Sequence, residues 1–544
     1  MGTLPELKSL PQIDLDRSDI SRWSWLTVTH LLERPSLELD KPALVFEGET
    51  RTYGELRDRA RRVAHGLVDQ GFEELDRVAL LSANRLEFIE IEAGIAGARG
   101  IMVALNWRLR GRELANLLRH CQAKVAFVED RFLETVEELR RAGETPDMRT
   151  VIGIPSGGDL SYEKLCASAR AEAPPRQGRL EDPHEIIYTS GTTGAPKGVV
   201  WTNGSLIWSS LQQVMDFRIE PESSTYAVID LYYMGGRHDF TWPILHQGGT
   251  AHIKRSGEWG GRAVVEYVAE HRITHILWVG TMLYDMLRVP DLGRYDTSCL
   301  RMIMCGGMPI TAEITKQAQE AFPQTDFIQV YGLTEGGATA TYISPKYAKS
   351  KPGSAGKATM HNRIRIVNDQ GVECAPTEVG EIAISGPAVT IGYWDNPETT
   401  AQTLRDGWLY TGDMGYLDEE GFLYVSGRKK DMIISGGMNI FPVEIEDVLR
   451  THPAVKDCAV IGVPDERWGE RVCAVIEANE GAEVDEEEVI AYCHDRLASY
   501  KKPSFVREVE AMPRTMSQKP RKFLLREQFA DLAQHPAGTS LPRR

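Results

Sequence analysis

The sequence has no CxxC pair; Cys121, Cys166, Cys299, Cys305, Cys374, Cys458, Cys473 and Cys493 are scattered along it. A zinc ribbon or a secreted disulfide scaffold needs clustered cysteines, so this spacing points to reduced thiols in a cytoplasmic protein. No apolar run approaches the ~18 residues that a membrane-spanning helix requires, and membrane insertion is not expected. The opening residues, MGTLPELKSLPQIDLD, lack the basic start and apolar stretch of a secretory signal. Positive charge is in short supply: 62 Lys and Arg stand against 78 Asp and Glu, a formal net charge of −16. That balance argues against a nucleic-acid partner, whose phosphates demand a basic face. It leaves a nucleotide ligand open, because a few local donors suffice to hold a phosphate. Internal repeats and low-complexity tracts are absent.

What is present is a chain of 544 residues with 42% hydrophobic and 26% charged residues, enough for a large multi-lobed region and at least one smaller domain. From Thr52, TYGELRDRARRVAHGLVDQG has the spacing of an amphipathic helix stopped at Gly71. RVALLS, IMVAL and KVAFVED have the character of short apolar strands, with helices at EFIEIEAGIAGARG and GRELANLLRHC between them. This alternation predicts βαβ units and mostly parallel sheet. AEAPPRQGRLEDPHE has the composition of an exposed connection, after which HILWVG, TMLYDMLRV, LRMIMCGG and ITAEITKQAQEAF resume the alternation. From about Gly353 the texture changes to short segments between Gly- and Asp-rich turns, which predicts antiparallel strands. After Met438 it becomes α+β, and a domain boundary is expected at Lys429–Lys430.

Residues 188–199 read YTSGTTGAPKGV. Small side chains there let a polyphosphate approach backbone N–H groups closely, and Lys197 adds a positive charge. The stretch is not a Walker A loop, since Pro196-Lys197 is followed by Gly198 rather than Ser or Thr. Taken alone, it fits a phosphate loop and a flexible Gly-Thr surface loop equally well.

SGTTGAPKG resembles the phosphate loop of the acyl-adenylate-forming superfamily. Further matches follow in that family's order: YGLTE at 331–335, GEIAISGP at 380–387, WLYTGD at 408–413, GRKKDMIISGGMNIFPVEIE at 427–446 and PRTMSQK at 513–519. The resemblance is to AMP-forming acyl-CoA synthetases, and it runs from about Thr52 to about Lys522. It implies an α/β fold: a large N-terminal domain (1–429) with two αβ sheets and a distorted β-barrel, then a small mobile α+β C-terminal domain (430–544) hinged at Lys430. It further implies ATP, Mg²⁺ and CoA as cofactors and co-substrates. A carboxylic acid becomes an acyl-AMP, whose acyl group then passes to the CoA thiol.

Residue roles carry over by position. Thr189, Ser190, Gly191, Thr192, Thr193, Gly194 and Lys197 would hold the β and γ phosphates, Thr334 the α-phosphate and Glu335 the Mg²⁺. Asp413 would bind the ribose with help from Arg428, Gly307, Met308, Pro309 and Tyr331 would sandwich the adenine, and Gly332 would belong to the substrate pocket. Lys519 would enter for adenylation. Ser435, Gly436 and Gly437 would line the pantetheine path, while Lys501 and Lys502 fit either CoA phosphates or a solvated basic pair. Tyr233, Arg237, His238, Trp278 and Gly280 bear on the acyl pocket, and their aromatic content suggests a bulky or cyclic acid.

The sequence departs from the family pattern at several of these positions. Tyr233 stands where His is usual, Gln518 rather than Gly precedes Lys519, Gly280 replaces Pro, Met308 replaces a small residue, and Asn203 stands where His is frequent. These departures keep a second reading open, an enzyme that takes a preformed acyl-adenylate to acyl-CoA without efficient adenylation. A peptide-synthetase module is disfavoured because no carrier domain follows residue 522, and a luciferase would share the same ligands. A non-catalytic nucleotide sensor would have no need to keep Arg428 and Lys519 together.

Overall fold

The computed structural model describes residues 27–189, 196–257, 259–307, 310, 312–514, 520–530 and 532. Described residues from Met1–Ile187, Gly198–Trp259 and His271–Leu277 form one compact unit; those from Tyr188–Lys197, Gly260–Glu270 and Trp278–Arg544 form the other.

The first unit is built around parallel strands. Arg77–Leu81 lies between Ile101–Leu105 and Val125–Glu129, Thr150–Ile154 continues one side, and Pro183–Thr189 lies beyond Ile101–Leu105. All five residues of Ile101–Leu105 are buried, as expected of a strand covered on both faces. The helix Tyr53–Asp69 starts where the sequence predicts, because Thr52 and Glu55 form a reciprocal capping box. Gly71, with φ +77°, follows its end. The buried helix Leu86–Gly97 packs close to it: a Cβ on Gly94 would lie 2.4 Å from that of Val63. A second group of strands, Ser224–Ala227, Thr250–Ile253 and Pro42–Phe46, is parallel, with Glu49–Thr52 antiparallel at its edge.

The stretch expected to be an exposed connection is irregular and mostly exposed or half-exposed over 171–182, but its last three residues open the core strand Pro183–Thr189, with His184 and Glu185 only 1% and 0% exposed.

In the second unit, Met302–Gly306 and Asp326–Tyr331 pair in parallel. Arg363–Val367, Gly380–Ser385, Trp408–Leu417 and Leu423–Arg428 then form an antiparallel sheet over Ala340, Ile366, Ile382, Ile384, Leu409 and Leu423. Register shifts at Glu381/Ala383 and Met414/Gly415 interrupt the ladder, and irregularities of this kind bend a sheet towards a barrel. From Ile433 onward the chain builds its own α+β layer. Val455–Asp465 and Gly469–Ala478 form a long hairpin with Phe505–Glu508 parallel beside it, and separate apolar clusters cover its two faces. The two αβ sheets, the bent antiparallel sheet and the small C-terminal α+β portion are those of the expected fold.

All eight cysteines are free thiols. Among the described residues, no helix is long and apolar enough to cross a membrane.

Candidate functional site

Strand register creates the centre of the site. Asp413 and Arg428 are direct partners across the Trp408–Leu417 and Leu423–Arg428 pair, which brings their side chains together. Arg428 Nε lies 3.0 Å from Asp413 Oδ1, and the Tyr331 hydroxyl donates to Asp413 Oδ2 at 2.8 Å. Asp413 is 6% exposed. Its backbone is held as well: the Asp413 amide donates to Thr411 Oγ1, and Gly412, at φ +71°, donates its own amide to Glu381. Burial, then the Asp413 charge, pushes the Tyr331 phenol well above its ordinary range, so it stays a donor. Burial alone would lower Arg428, but the charges of Asp413 and then Glu335 outweigh it and fix the guanidinium as a cation. A carboxylate offers about four acceptor positions, so with two filled Asp413 retains capacity for a diol.

Glu335 lies on the single turn Thr334–Gly336 that follows Tyr331. Its Oε1 accepts from the Tyr393 hydroxyl at 2.8 Å, and its carbonyl accepts from the Thr390 amide. The Lys197 ammonium lies 5.4 Å from the centre of the Tyr393 ring. An anchored carboxylate beside a lysine fits a hard divalent cation and the phosphates it would bridge. Tyr393 was not singled out in the sequence, where GYWDNPETT reads as a turn before a helix and nothing local marks its hydroxyl.

The remaining positions are placed as follows. Thr189 ends its strand, with Oγ1 3.4 Å from the Lys197 carbonyl. Gly307 has φ +82°, and a Cβ there would touch only Val279, leaving an open flat edge. Gly332 admits no side chain, because a Cβ would lie 1.7 Å from the Ala338 carbonyl. Trp278 is fully buried, 5.5 Å from Phe322 centre to centre, and Gly280 starts the helix Gly280–Leu287. Lys430 lies in the turn Lys429–Asp431, where burial lowers its pKa. Gly436 and Gly437, at φ +58° and +81°, form the two-residue turn joining Ile433–Ser435 to Met438–Ile440. Lys501 is ion-paired with Glu444. Tyr233, Arg237 and His238 belong to the first unit: the Tyr233 ring lies 4.2 Å from that of Tyr232, tilted by 36°, and Arg237 and His238 are buried among carboxylates. Ser190, Gly191, Thr192, Thr193, Gly194, Met308, Pro309, Gln518 and Lys519 lie outside the described residues.

The profile described as AMP-binding enzyme matches residues 33–394, and that of the AMP-binding enzyme C-terminal domain matches residues 444–519. The chain belongs to the AMP-binding enzyme family. An indoleacetate–CoA ligase from Aromatoleum aromaticum is 36% identical over 91% of this chain and 96% of its own length. A feruloyl-CoA synthase from an Amycolatopsis species is 35% identical over 89% and 94%. Among solved structures, ATP-bound MatB from Rhodopseudomonas palustris superposes with a TM-score of 0.86 at 28% identity, covering 94% of this chain and all of that one. An anthranilate CoA ligase in complex with anthranoyl-AMP gives the same TM-score at 26% identity, over 93% and 98%. Like other acyl-CoA synthetases of the family, the protein is an acid–thiol ligase: it joins a carboxylic acid to CoA through an acyl-adenylate at the expense of ATP, with Mg²⁺. These relatives favour the complete ligase over a thioesterification-only enzyme or a nucleotide sensor.

Proposed function

We propose that this ligase activates a bulky aromatic or cyclic carboxylic acid in the cytoplasm. The observation that carries the reading is the close Tyr232–Tyr233 ring pair, 4.2 Å between centres and tilted by 36°, which we assign to the acyl end because Tyr233 stands where the family usually has His. It is supported by relatives named for indoleacetate, ferulate and 2-succinylbenzoate. Burial pushes the Tyr233 phenol up to about 12, so this wall is neutral at physiological pH and suits an aromatic body better than a second charge.

In this reading Asp413 receives the ribose hydroxyls, Arg428 reinforces it, and Tyr331 and Gly307 flank the base with Met308 and Pro309. The phosphate loop and Lys197 hold the β and γ phosphates, and Thr334 donates to the α-phosphate. Glu335 would hold Mg²⁺, which would supply charge neutralisation at the phosphate oxygens. Held in line, the acid's carboxylate oxygen attacks the α-phosphorus and pyrophosphate departs, with Lys519 steadying both partners. The C-terminal domain, from residue 430, then turns about Lys430 and brings Gly436 and Gly437 to the pantetheine. The CoA sulfur attacks the acyl carbon and AMP leaves.

Incubation with ATP, Mg²⁺ and CoA against indoleacetate, ferulate, 2-succinylbenzoate and straight-chain acids tests the reading. Preference for an aromatic or cyclic acid is expected; preference for a straight chain by tenfold or more would contradict it.

A further inference from the structure

The first unit contains a charge cluster with no access to solvent. Glu92 comes from the helix Leu86–Gly97, His184 and Glu185 from the strand Pro183–Thr189, and Arg237 and His238 from the end of the short helix Met234–Arg237. Their exposures are 0% for Glu92, Glu185 and Arg237, 1% for His184 and 2% for His238. Arg237 donates to Glu92 Oε1 at 2.8 Å, to Glu185 Oε2 at 2.6 Å and to the Leu231 carbonyl at 2.5 Å. His184 Nε2 lies 3.3 Å from Glu92 Oε1, and His238 lies against Glu185. Burial, the largest influence, would raise both carboxylates; the Arg237 charge together with the His184 and His238 contacts outweighs it and leaves each below its ordinary range.

Donor atoms of Glu92, Glu185 and His238 lie within 4.8 Å of one another, a spacing that a metal ion could use. The guanidinium already occupies both carboxylates, so a second cation would meet a fixed positive charge. The cluster is better read as a strut. Desolvating this much charge brings little net stability compared with an apolar core, and positional definition is a recognised reason for keeping it.

What the strut holds is the segment carrying Tyr232 and Tyr233. Asn84 accepts from the Leu231 amide at 2.7 Å, and Arg108 pairs with Asp230. Gln213 donates to the His238 carbonyl at 2.6 Å and accepts from the Phe240 amide. A Cβ on Gly236 would lie 2.3 Å from the Asp230 carbonyl, so the turn closes without spare room. Phe240 has φ +70° and ψ −38°, and the Thr241 amide bonds to the Asp239 carbonyl across it. This γ-turn on a bulky residue is strained and persists only where its surroundings over-determine it.

We propose that Arg237 is a positioning residue for acid selection. By clamping Glu92, Glu185 and the Leu231 carbonyl together, it fixes the Tyr232–Tyr233 wall relative to the strand that runs into the phosphate loop, without touching the acid. The proposal rests on the reading of Tyr233 as part of the acyl pocket of a CoA ligase.

The test replaces the whole strut, E92Q/E185Q/R237M, so that no unpaired charge stays buried, alongside R237K, which keeps the charge but loses the fork. Wild type and variants are compared by thermal melting and by kinetics with indoleacetate, ferulate and hexanoate. Expected in each folded variant are an acid KM raised tenfold or more, an ATP KM within about twofold, and at least a tenfold loss of discrimination between ring and straight-chain acids. A folded variant with unchanged acid KM and discrimination would overturn the proposal, as would a stoichiometric metal ion that the purified wild type carries and the folded triple variant lacks. If the triple variant does not fold, R237K alone decides by the same criteria. Wild type silent on both free acids and synthetic acyl-adenylates would refute the ligase reading instead, so the two failures are distinguishable.

Discussion

Asp413→Asn is the sharpest perturbation of the nucleotide site. The carboxylate already accepts from Tyr331 at 2.8 Å on one oxygen and is ion-paired with Arg428 Nε, 3.0 Å from the other. With about four acceptor positions in all, it has roughly one left per oxygen for the two ribose hydroxyls. The amide is isosteric but replaces one oxygen by a donor. Arg428 can only donate, so the remaining oxygen must face it, and the NH₂ must face Tyr331, whose oxygen can accept. Tyr331 is therefore still satisfied, while the ribose loses one charge-assisted acceptor. Such a bond is worth about 1.5–3 kcal/mol, a loss of roughly 10- to 150-fold at ~1.4 kcal/mol per decade. The loss should appear in kcat/KM for ATP, and equally in the affinity for a synthetic acyl-adenylate, which carries the same ribose. The KM for CoA should change little. Steady-state titration of ATP, with binding of the acyl-adenylate measured directly, checks this. An unchanged ATP kcat/KM in the folded variant would refute the assignment of Asp413 to the ribose.

Tyr393→Phe removes the donor on Glu335, a bond to a charged acceptor worth about 1.5–3 kcal/mol; the half-saturating Mg²⁺ concentration should rise about tenfold or more, and direct Mn²⁺ binding in the presence of ATP would show the same shift. Gly436→Ala puts a Cβ 2.6 Å from Trp468 Cε3 at φ +58°, so thioester formation should fall well below pyrophosphate release; equal losses in both would contradict a role confined to the CoA step. Burial first, then the neighbouring His271 charge, lowers His252 to about 4 from its ordinary 6.5. The unfolded chain therefore binds that proton below 6.5 while the native state does not, and stability is lost as pH falls from 6.5 to about 4. His252→Asn should remove up to about 3 kcal/mol of that pH-dependent loss, visible as a smaller shift in urea midpoint between pH 7 and 4.5.

Where one local rule acts, the sequence is readable. Apolar spacing and a stop at Gly71 locate Tyr53–Asp69, and an unbroken apolar run gives Ile101–Leu105. Motif order groups Tyr331, Glu335, Asp413 and Arg428 as an expectation, and of these Tyr331, Asp413 and Arg428 are joined by direct contacts. Long-range compensation is what stays hidden. Glu185 has the look of solvated linker because its counter-charge, Arg237, lies 52 residues away, and Glu92 lies 145 away from the same partner. Tyr393 escapes for a related reason: its hydroxyl gains meaning only through Glu335, 58 residues earlier. Arg237 and His238 could be referred to the acyl region by order along the chain, but not seen as a buried strut, since one charged residue reads alike on a surface and in a satisfied interior.

The central claim, a complete acid–thiol ligase with an aromatic or cyclic acid as substrate, is tested most directly by following products by mass. The wild-type protein is given ATP, Mg²⁺, CoA and indoleacetate or ferulate, with each component omitted in turn. The account predicts acyl-CoA together with equimolar AMP and pyrophosphate, dependent on all components. ADP in place of AMP would contradict it, and so would conversion of a synthetic acyl-adenylate with no product from any free acid.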